Sequence, residues 1–127
     1  MPGFCGWLGD RAPERPEAVL TAMADGLIHD GAARRDRRMT GRLGLHAAAR
    51  DTAPIAEHSD GIVVALQGAP GFTRPRHAEL ARSQGAAKAI AEAYLASPET
   101  FLDELRGGFA LALIDKRTGR AQLAIDR

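Results

Sequence analysis

Residues 109–114 (FALALI) form an unbroken apolar run. A polar stretch, Asp115-Lys116-Arg117-Thr118-Gly119-Arg120, follows it, and residues 121–125 (AQLAI) return to apolar character. Two such runs separated by turn residues read as a β-hairpin. A second continuous run, residues 61–67 (GIVVALQ), is rich in β-branched side chains and has the pattern of a strand covered on both faces. Strands of this kind oblige the rest of the chain to supply covering layers. With 127 residues, 45% of them hydrophobic, the chain amounts to one domain with material for a core.

The remaining segments predict those layers. Between 16 and 28, Val19, Ala22, Met23 and Leu27 recur at three- and four-residue spacing, with Pro16 in the first turn and Gly26 and Gly31 near the end. An amphipathic helix is expected there. A second helix is expected over 82–96, with Ala86, Ala87, Ile90, Ala91, Tyr94 and Leu95 on one face. Pro98-Glu99 opens a short third helix that turns Phe101, Leu102 and Leu105 inward and stops at Gly107-Gly108. Residues 42–49 read as a strand with Leu43 and Leu45 on one face, and residues 52–60 as turn-like, closed by Asp60-Gly61. Residues 9–16 and 68–71 read as loops, and there is no internal repeat.

Charge excludes more than it identifies. The 17 basic and 16 acidic residues leave a net charge of +1, so nothing global points to nucleic acid or to a membrane surface. Arg34, Arg35, Arg37 and Arg38 form a local basic cluster without interleaved aromatics. It reads as a solvated charged loop, with an anion or partner site as the alternative. No apolar run approaches the roughly 20 residues of a membrane span, and no secretory signal is visible. A soluble, cytoplasmic protein is expected. His29, His46, His58 and His77 lack metal-ligand spacing and read as loop or surface residues, so no metal is expected.

Cys5, the sole cysteine, lies in the run Phe4-Cys5-Gly6-Trp7-Leu8, bracketed by Gly3 and Gly9. Phe4, Trp7 and Leu8 read as a buried strand. A single cysteine rules out an internal disulfide and suits a reducing compartment. Its thiol has two readings: a nucleophile served by a nearby amine, or a small core hydrophobe.

Phe101-Leu102-Asp103-Glu104-Leu105-Arg106-Gly107-Gly108-Phe109-Ala110-Leu111-Ala112-Leu113-Ile114-Asp115, followed by Leu123-Ala124-Ile125-Asp126-Arg127, resembles the asparagine synthetase family. The amidotransferase domain of that family reads F-L-x-x-L-x-G-x-F-A-F-A-L-x-D, then a turn, then L-A-R-D-R. Cys5-Gly6-Trp7-Leu8-Gly9 resembles its amino-terminal C-G-I-x-G. The resemblance implies a class II glutamine amidotransferase domain over 1–127, incomplete and cut short at its C-terminus, with no synthetase domain. The implied fold is α+β, a four-layer αββα N-terminal-nucleophile sandwich of two antiparallel sheets. A sheet cut at Arg127 would leave open edges, so poor solubility is expected of the isolated piece.

In the family the cysteine thiol attacks the glutamine side-chain amide and the α-amine of the same residue is the base. A γ-glutamyl thioester forms, ammonia passes to the synthetase domain and water releases glutamate. By resemblance Cys5 is the nucleophile, and Gln67 and Gly68 stand in for the oxyanion donors of an N-G-E motif; such donors are worth about 3–4 kcal/mol. Arg50 is the nearest arginine to the position that grips the substrate carboxylate, with Arg42 second, and Ser83 stands in the family's S-D motif. The chain departs from the pattern in three places. Pro2-Gly3-Phe4 precede Cys5, so its nitrogen is a peptide nitrogen unless the Phe4–Cys5 bond is cut, and Ala69 and Gln84 replace the two carboxylates that hold the substrate ammonium.

No cofactor is implied for this domain, since ATP and magnesium belong to the synthetase domain. The implied partners are glutamine or a related small molecule, the synthetase domain and a second copy of the chain. Two functions follow from the resemblance. One is the glutaminase half of an asparagine synthetase-like ligase. The other is a catalytically degenerate scaffold, as in relatives that close β-lactam or lasso-peptide rings. An α+β domain unrelated to the family is the third reading.

Overall fold

A computed structural model describes residues 3–27, 31, 33–50 and 53–126. The fold is mixed α+β, with antiparallel sheets and three α-helices among the described residues. The chain divides into two compact units, Met1–Pro54 and Ile55–Arg127.

The first unit holds β1 (Gly3–Leu8), α1 (Pro16–Leu27), β2 (Arg34–Met39) and β3 (Leu43–Ala49). Its antiparallel sheet runs in the order β1-β3-β2. Gly3, Cys5 and Trp7 share one face with Ala48, His46 and Gly44, their cross-strand partners. α1 packs on this face, where Ala24 meets Ala48 and Cys5. Leu43, Leu45, Ala47 and Ala49 alternate onto the opposite face and are buried.

Three expectations need correction here. The buried stripe of α1 is Leu20 and Ala24, whereas Val19, Met23 and Leu27 are 37%, 37% and 46% exposed. Small Ala24 allows close approach to the sheet, and that outweighs the bulkier stripe one position away. The strand β1 forms, but Phe4 and Trp7 are only half-buried and Leu8 is exposed. The arginine cluster is an edge strand instead of a loop, in register with β3 from Arg34↔Ala49 to Met39↔Gly44. Backbone pairing along β3 recruits a segment with no apolar alternation, and its charges blunt the sheet edge. Asp36 sits inside the cluster and accepts from Arg38 Nη1 at 2.7 Å.

The second unit runs β4 (Ile55–His58), β5 (Ile62–Gly68), β6 (Gly71–Phe72), α2 (Pro75–Gln84), α3 (Ala86–Ala96), a 3-10 turn (Phe101–Glu104), β7 (Leu105–Arg106), β8 (Phe109–Asp115) and β9 (Arg120–Ile125). Its main sheet is antiparallel in the order β4-β5-β8-β9, and β6 and β7 form a separate ribbon. The hairpin expected from residues 109–125 is β8–β9, in register from Asp115↔Arg120 to Ala110↔Ile125. Ile62, Val64 and Leu66 of β5 and Leu111 and Leu113 of β8 pack under Ala87, Ile90, Ala91 and Tyr94 of α3. Val63, Ala65, Ala112 and Ile114 alternate to the other face and are also buried, as continuous apolar strands require. Phe101 meets Tyr94 edge-on, with ring centroids 5.4 Å apart.

The helix expected over 82–96 is two helices. Gly85 adopts φ +97, its N–H donates to the Ala81 carbonyl at 3.0 Å, and α2 stops there. α2 itself begins at Pro75, in the position where a missing N–H costs nothing. Of the stretch read as turn-like, 52–60, residue 52 lies outside the described residues, residue 54 is a bend and residues 59–60 are a turn, but residues 55–58 pair with β5 from Ile55↔Ala65 to His58↔Ile62. Leu102, expected inward, is 37% exposed, while Phe101 and Leu105 are buried as expected.

Asp115 closes the unit. It is 1% exposed, accepts from Tyr94 Oη at 2.8 Å and receives both Nε and Nη2 of Arg117 at 3.0 and 2.9 Å. The Arg117 backbone N–H adds a bond at 3.0 Å. These donors hold its carboxyl at about 2, against an ordinary 3.8, with the Arg117 side chain the largest cause. One carboxylate thereby ties α3 to the turn between β8 and β9.

Candidate functional site

Cys5 stands mid-strand in β1, directly opposite His46. Its neighbours include Ala24 and Ala48, and burial raises its thiol above the ordinary range, so the thiol stays protonated. A protonated thiol is a poor nucleophile. Its nitrogen is an internal peptide nitrogen, preceded in the same strand by Gly3 and Phe4, which pair with Ala48 and Ala47. An amide nitrogen in that position accepts no proton.

His46 is the titratable base that register places nearest the thiol, since side chains directly across a sheet have Cβ atoms about 4.5–5.5 Å apart. Burial lowers its pKa below the usual value, and Arg35 and Arg37 push it further down, against the opposing pull of Asp25 and Asp36. The ring is therefore neutral at pH 7. His46 Nε2 and Trp7 Nε1 are both buried without a hydrogen-bond partner. Trp7 lies on the same face as Cys5, with its ring over the backbone of Gly44.

Gln67 and Gly68, the residues expected from the resemblance to stand at an oxyanion site, end β5. Gly68 adopts φ +94, and a Cβ there would lie 2.4 Å from the Gly108 carbonyl oxygen. Only glycine fits. Gly68 pairs with Phe109, so the Gln67-Gly68 segment and the FALALID strand are in register side by side. Arg50 is exposed just beyond β3. Arg42, the second choice, binds Asp10 at the surface at 2.5 Å. Ser83 is exposed in the last turn of α2 and donates to the carbonyl of Glu79 in its own helix at 3.1 Å. Cys5, Arg42 and Arg50 belong to the first unit; Gln67, Gly68 and Ser83 belong to the second.

The histidines depart from the sequence reading. His46 is half-buried on the central strand of its sheet. His58 lies in β4, donates through Nε2 to Glu92 of α3 at 2.7 Å and accepts the Asp60 N–H at 3.1 Å. His77, in the first turn of α2, is 5% exposed and donates through Nδ1 to the buried Glu104 at 2.5 Å. Arg74 Nε reaches the other Glu104 oxygen at 3.3 Å. This cluster ties α2 to the 3-10 turn, beside a polar cavity lined by Thr73, Arg74, Thr100, Asp103 and Glu104. Sequence spacing hides all three roles, because the carboxylates bound by His58 and His77 are 34 and 27 residues away and His46 faces Cys5 from another strand. His29 and Arg127 lie outside the described residues.

Among the described residues no group of three or more His, Cys, Asp or Glu side chains could hold a metal ion. None of the described helices is long and apolar enough to cross a membrane. No protein-family model matches the chain, and neither a curated protein nor a solved structure matches it.

Proposed function

We propose that the chain is a class II glutamine amidotransferase-like domain of an asparagine synthetase-like, amide-forming enzyme, serving in this form as a scaffold without glutaminase activity. The observation that carries the scaffold reading is the placement of Cys5. Gly3 and Phe4 run ahead of it in β1, paired with Ala48 and Ala47, so the Cys5 nitrogen is a peptide nitrogen and not a free amine, and burial keeps the thiol protonated. The lost carboxylates at Ala69 and Gln84 point the same way, because a substrate ammonium would have no counter-charge at those positions.

Support for the family reading comes from the two motif stretches of the second unit. Gln67-Gly68 lies against the start of β8 through the pair Gly68↔Phe109, at a strand end where glycine is obligatory. The four-layer αββα sandwich belongs to the same proposal. The three-stranded sheet of the first unit and the four-stranded sheet of the second each have a helix on one face and buried apolar residues on the other, the condition for a layered fold. ATP and magnesium are assigned to the synthetase domain, and cytoplasmic placement rests on the single unpaired cysteine.

The working glutaminase is the second reading, favoured by the Gly68 geometry. It requires cleavage at Phe4–Cys5. Intact mass of the chain purified from cells, before and after a diazo-ketone glutamine analogue, separates the two. The scaffold reading expects residues 1–4 retained beyond initiator-methionine removal, no adduct, and no ammonia released from glutamine. Loss of residues 1–4 with one adduct, absent in Cys5→Ala, would establish the glutaminase instead.

A further inference from the structure

Glu104 is a charged side chain taken almost wholly out of water, 7% exposed, and both of its oxygens are engaged. Oε1 accepts from His77 Nδ1 at 2.5 Å, and Oε2 meets Arg74 Nε at 3.3 Å. Arg74 itself is more than half exposed and, among the described residues, its side chain has no further partner. Anchored through Nε, the guanidinium keeps its Nη1 and Nη2 donors uncommitted.

Arg74 stands on the wall of a cavity of about 250 Å³ that Thr73, Thr100, Asp103 and Glu104 complete. This lining is polar or charged throughout. Among the described residues, the hydroxyls of Thr73 and Thr100 and the carboxylate of Asp103 have no hydrogen-bond partner in the protein. The cavity lies at the start of α2, because Thr73 and Arg74 immediately precede that helix. Pro75 carries no N–H, and the N-cap residue Arg74 makes no side-chain capping bond. The first turn of α2 therefore lacks the usual acceptor for its N–H groups.

The charges decide what such a cavity accepts. A plain anion would face Asp103 and Glu104. A plain amine would leave the Arg74 donors and the helix start without a partner. A metal ion is not served, since no described group of three or more His, Cys, Asp or Glu side chains could hold one. A molecule carrying a carboxylate and an ammonium on neighbouring atoms meets both kinds of wall.

We propose that this cavity binds a small polar α-amino acid in its zwitterionic form. The Nη donors of Arg74 take the carboxylate as a planar fork, and the start of α2 adds a favourable potential. Asp103 takes the ammonium, and the remaining lone pairs of Glu104 Oε2 accept from it as well. The threonine hydroxyls, which both donate and accept, serve either group or the ligand side chain. A polar lining gives an apolar side chain nothing to pack on, so serine suits the cavity and leucine does not. His77 is a positioning residue: it fixes Glu104, and Glu104 in turn orients Arg74. The site uses none of Cys5, Gln67 or Gly68, so it stands or falls independently of the amidotransferase reading.

The test is a titration of the isotope-labelled 127-residue chain with L-serine, followed by amide chemical shifts to about 20 mM, past the millimolar Kd of a weak small-ligand site. Saturable shifts are expected at residues 73–77 and 100–104. N-acetyl-L-serine lacks the ammonium and L-serinamide lacks the carboxylate, and each is expected to bind about tenfold more weakly. Arg74→Gln and Asp103→Asn alter exposed side chains, and each is expected to weaken L-serine about tenfold while the rest of the spectrum stays native. Absence of saturable shifts with L-serine overturns the proposal. N-acetyl-L-serine bound as tightly would show an anion site only, and L-serinamide bound as tightly an acidic surface only. L-leucine bound as tightly, or two variants that bind like the wild type, would overturn it equally.

Discussion

Asp115 shows how much one side chain can organise. It is buried with three kinds of donor around it, and its carboxyl is held at about 2 instead of 3.8. A carboxyl whose folded pKa is depressed adds stability that is fully present above the unfolded value and is lost as pH falls through the folded one. The window here runs from about pH 4 down to about pH 2. Its size is on the order of 1–2 kcal/mol, reduced from the full linkage value because the Arg117 side chain is half in water and its attraction is screened. Asp115→Asn is expected to lower stability by this amount at pH 7, and to lose that share of the acid dependence. Urea unfolding at pH 7 and pH 3 for both proteins checks it. Neither Tyr94 nor Arg117 is legible from sequence as a partner of Asp115. Local sequence pattern ends at a polar turn, whereas the Tyr94 hydroxyl arrives from a helix 21 residues earlier.

At the scale of elements, the junctions decide more than the elements do. The strands over 61–67 and 109–114 and the hairpin partner at 121–125 follow from unbroken apolar runs and a turn between them. Gly85 divides one apolar periodicity into two helices, and neither composition nor spacing distinguishes that from a tolerated helical glycine. Gly68 is the more demanding position, since positive φ and the Gly108 carbonyl act together. Gly68→Ala should cost about 2–3 kcal/mol, more than positive φ alone, because the added methyl also forces β5 and β8 apart. Chemical denaturation measures this. A change below about 0.5 kcal/mol would mean that the strand end relaxes freely and is no fixed part of a site.

For the whole molecule, the two compact units differ in the strands at their sheet edges. The charges of β2 blunt one edge of the first sheet, whereas β9 of the second unit carries Leu123 and Ile125 exposed. Leu123→Lys is expected to leave the fold intact and to change stability by less than about 0.5 kcal/mol, because a side chain that exposed has little burial to lose. Urea unfolding followed by circular dichroism measures this.

Local pattern was enough for the apolar strands, the β8–β9 hairpin and the existence of α1 and α3, because period and turn chemistry act over a few residues. It also singled out Cys5 as a candidate nucleophile, whereas Gln67-Gly68 was reached only through the family resemblance. Only the tertiary structure decided that Arg34–Met39 is a strand, since that segment pairs through its backbone and not through its side chains. It decided likewise that His46 stands opposite Cys5, that His77 is buried against Glu104, and that α1 buries Leu20 and Ala24. Each of these depends on a partner distant in the chain. Burial, register and the protonation of a thiol are properties of what packs around a residue, and sequence periodicity carries no information about that neighbour.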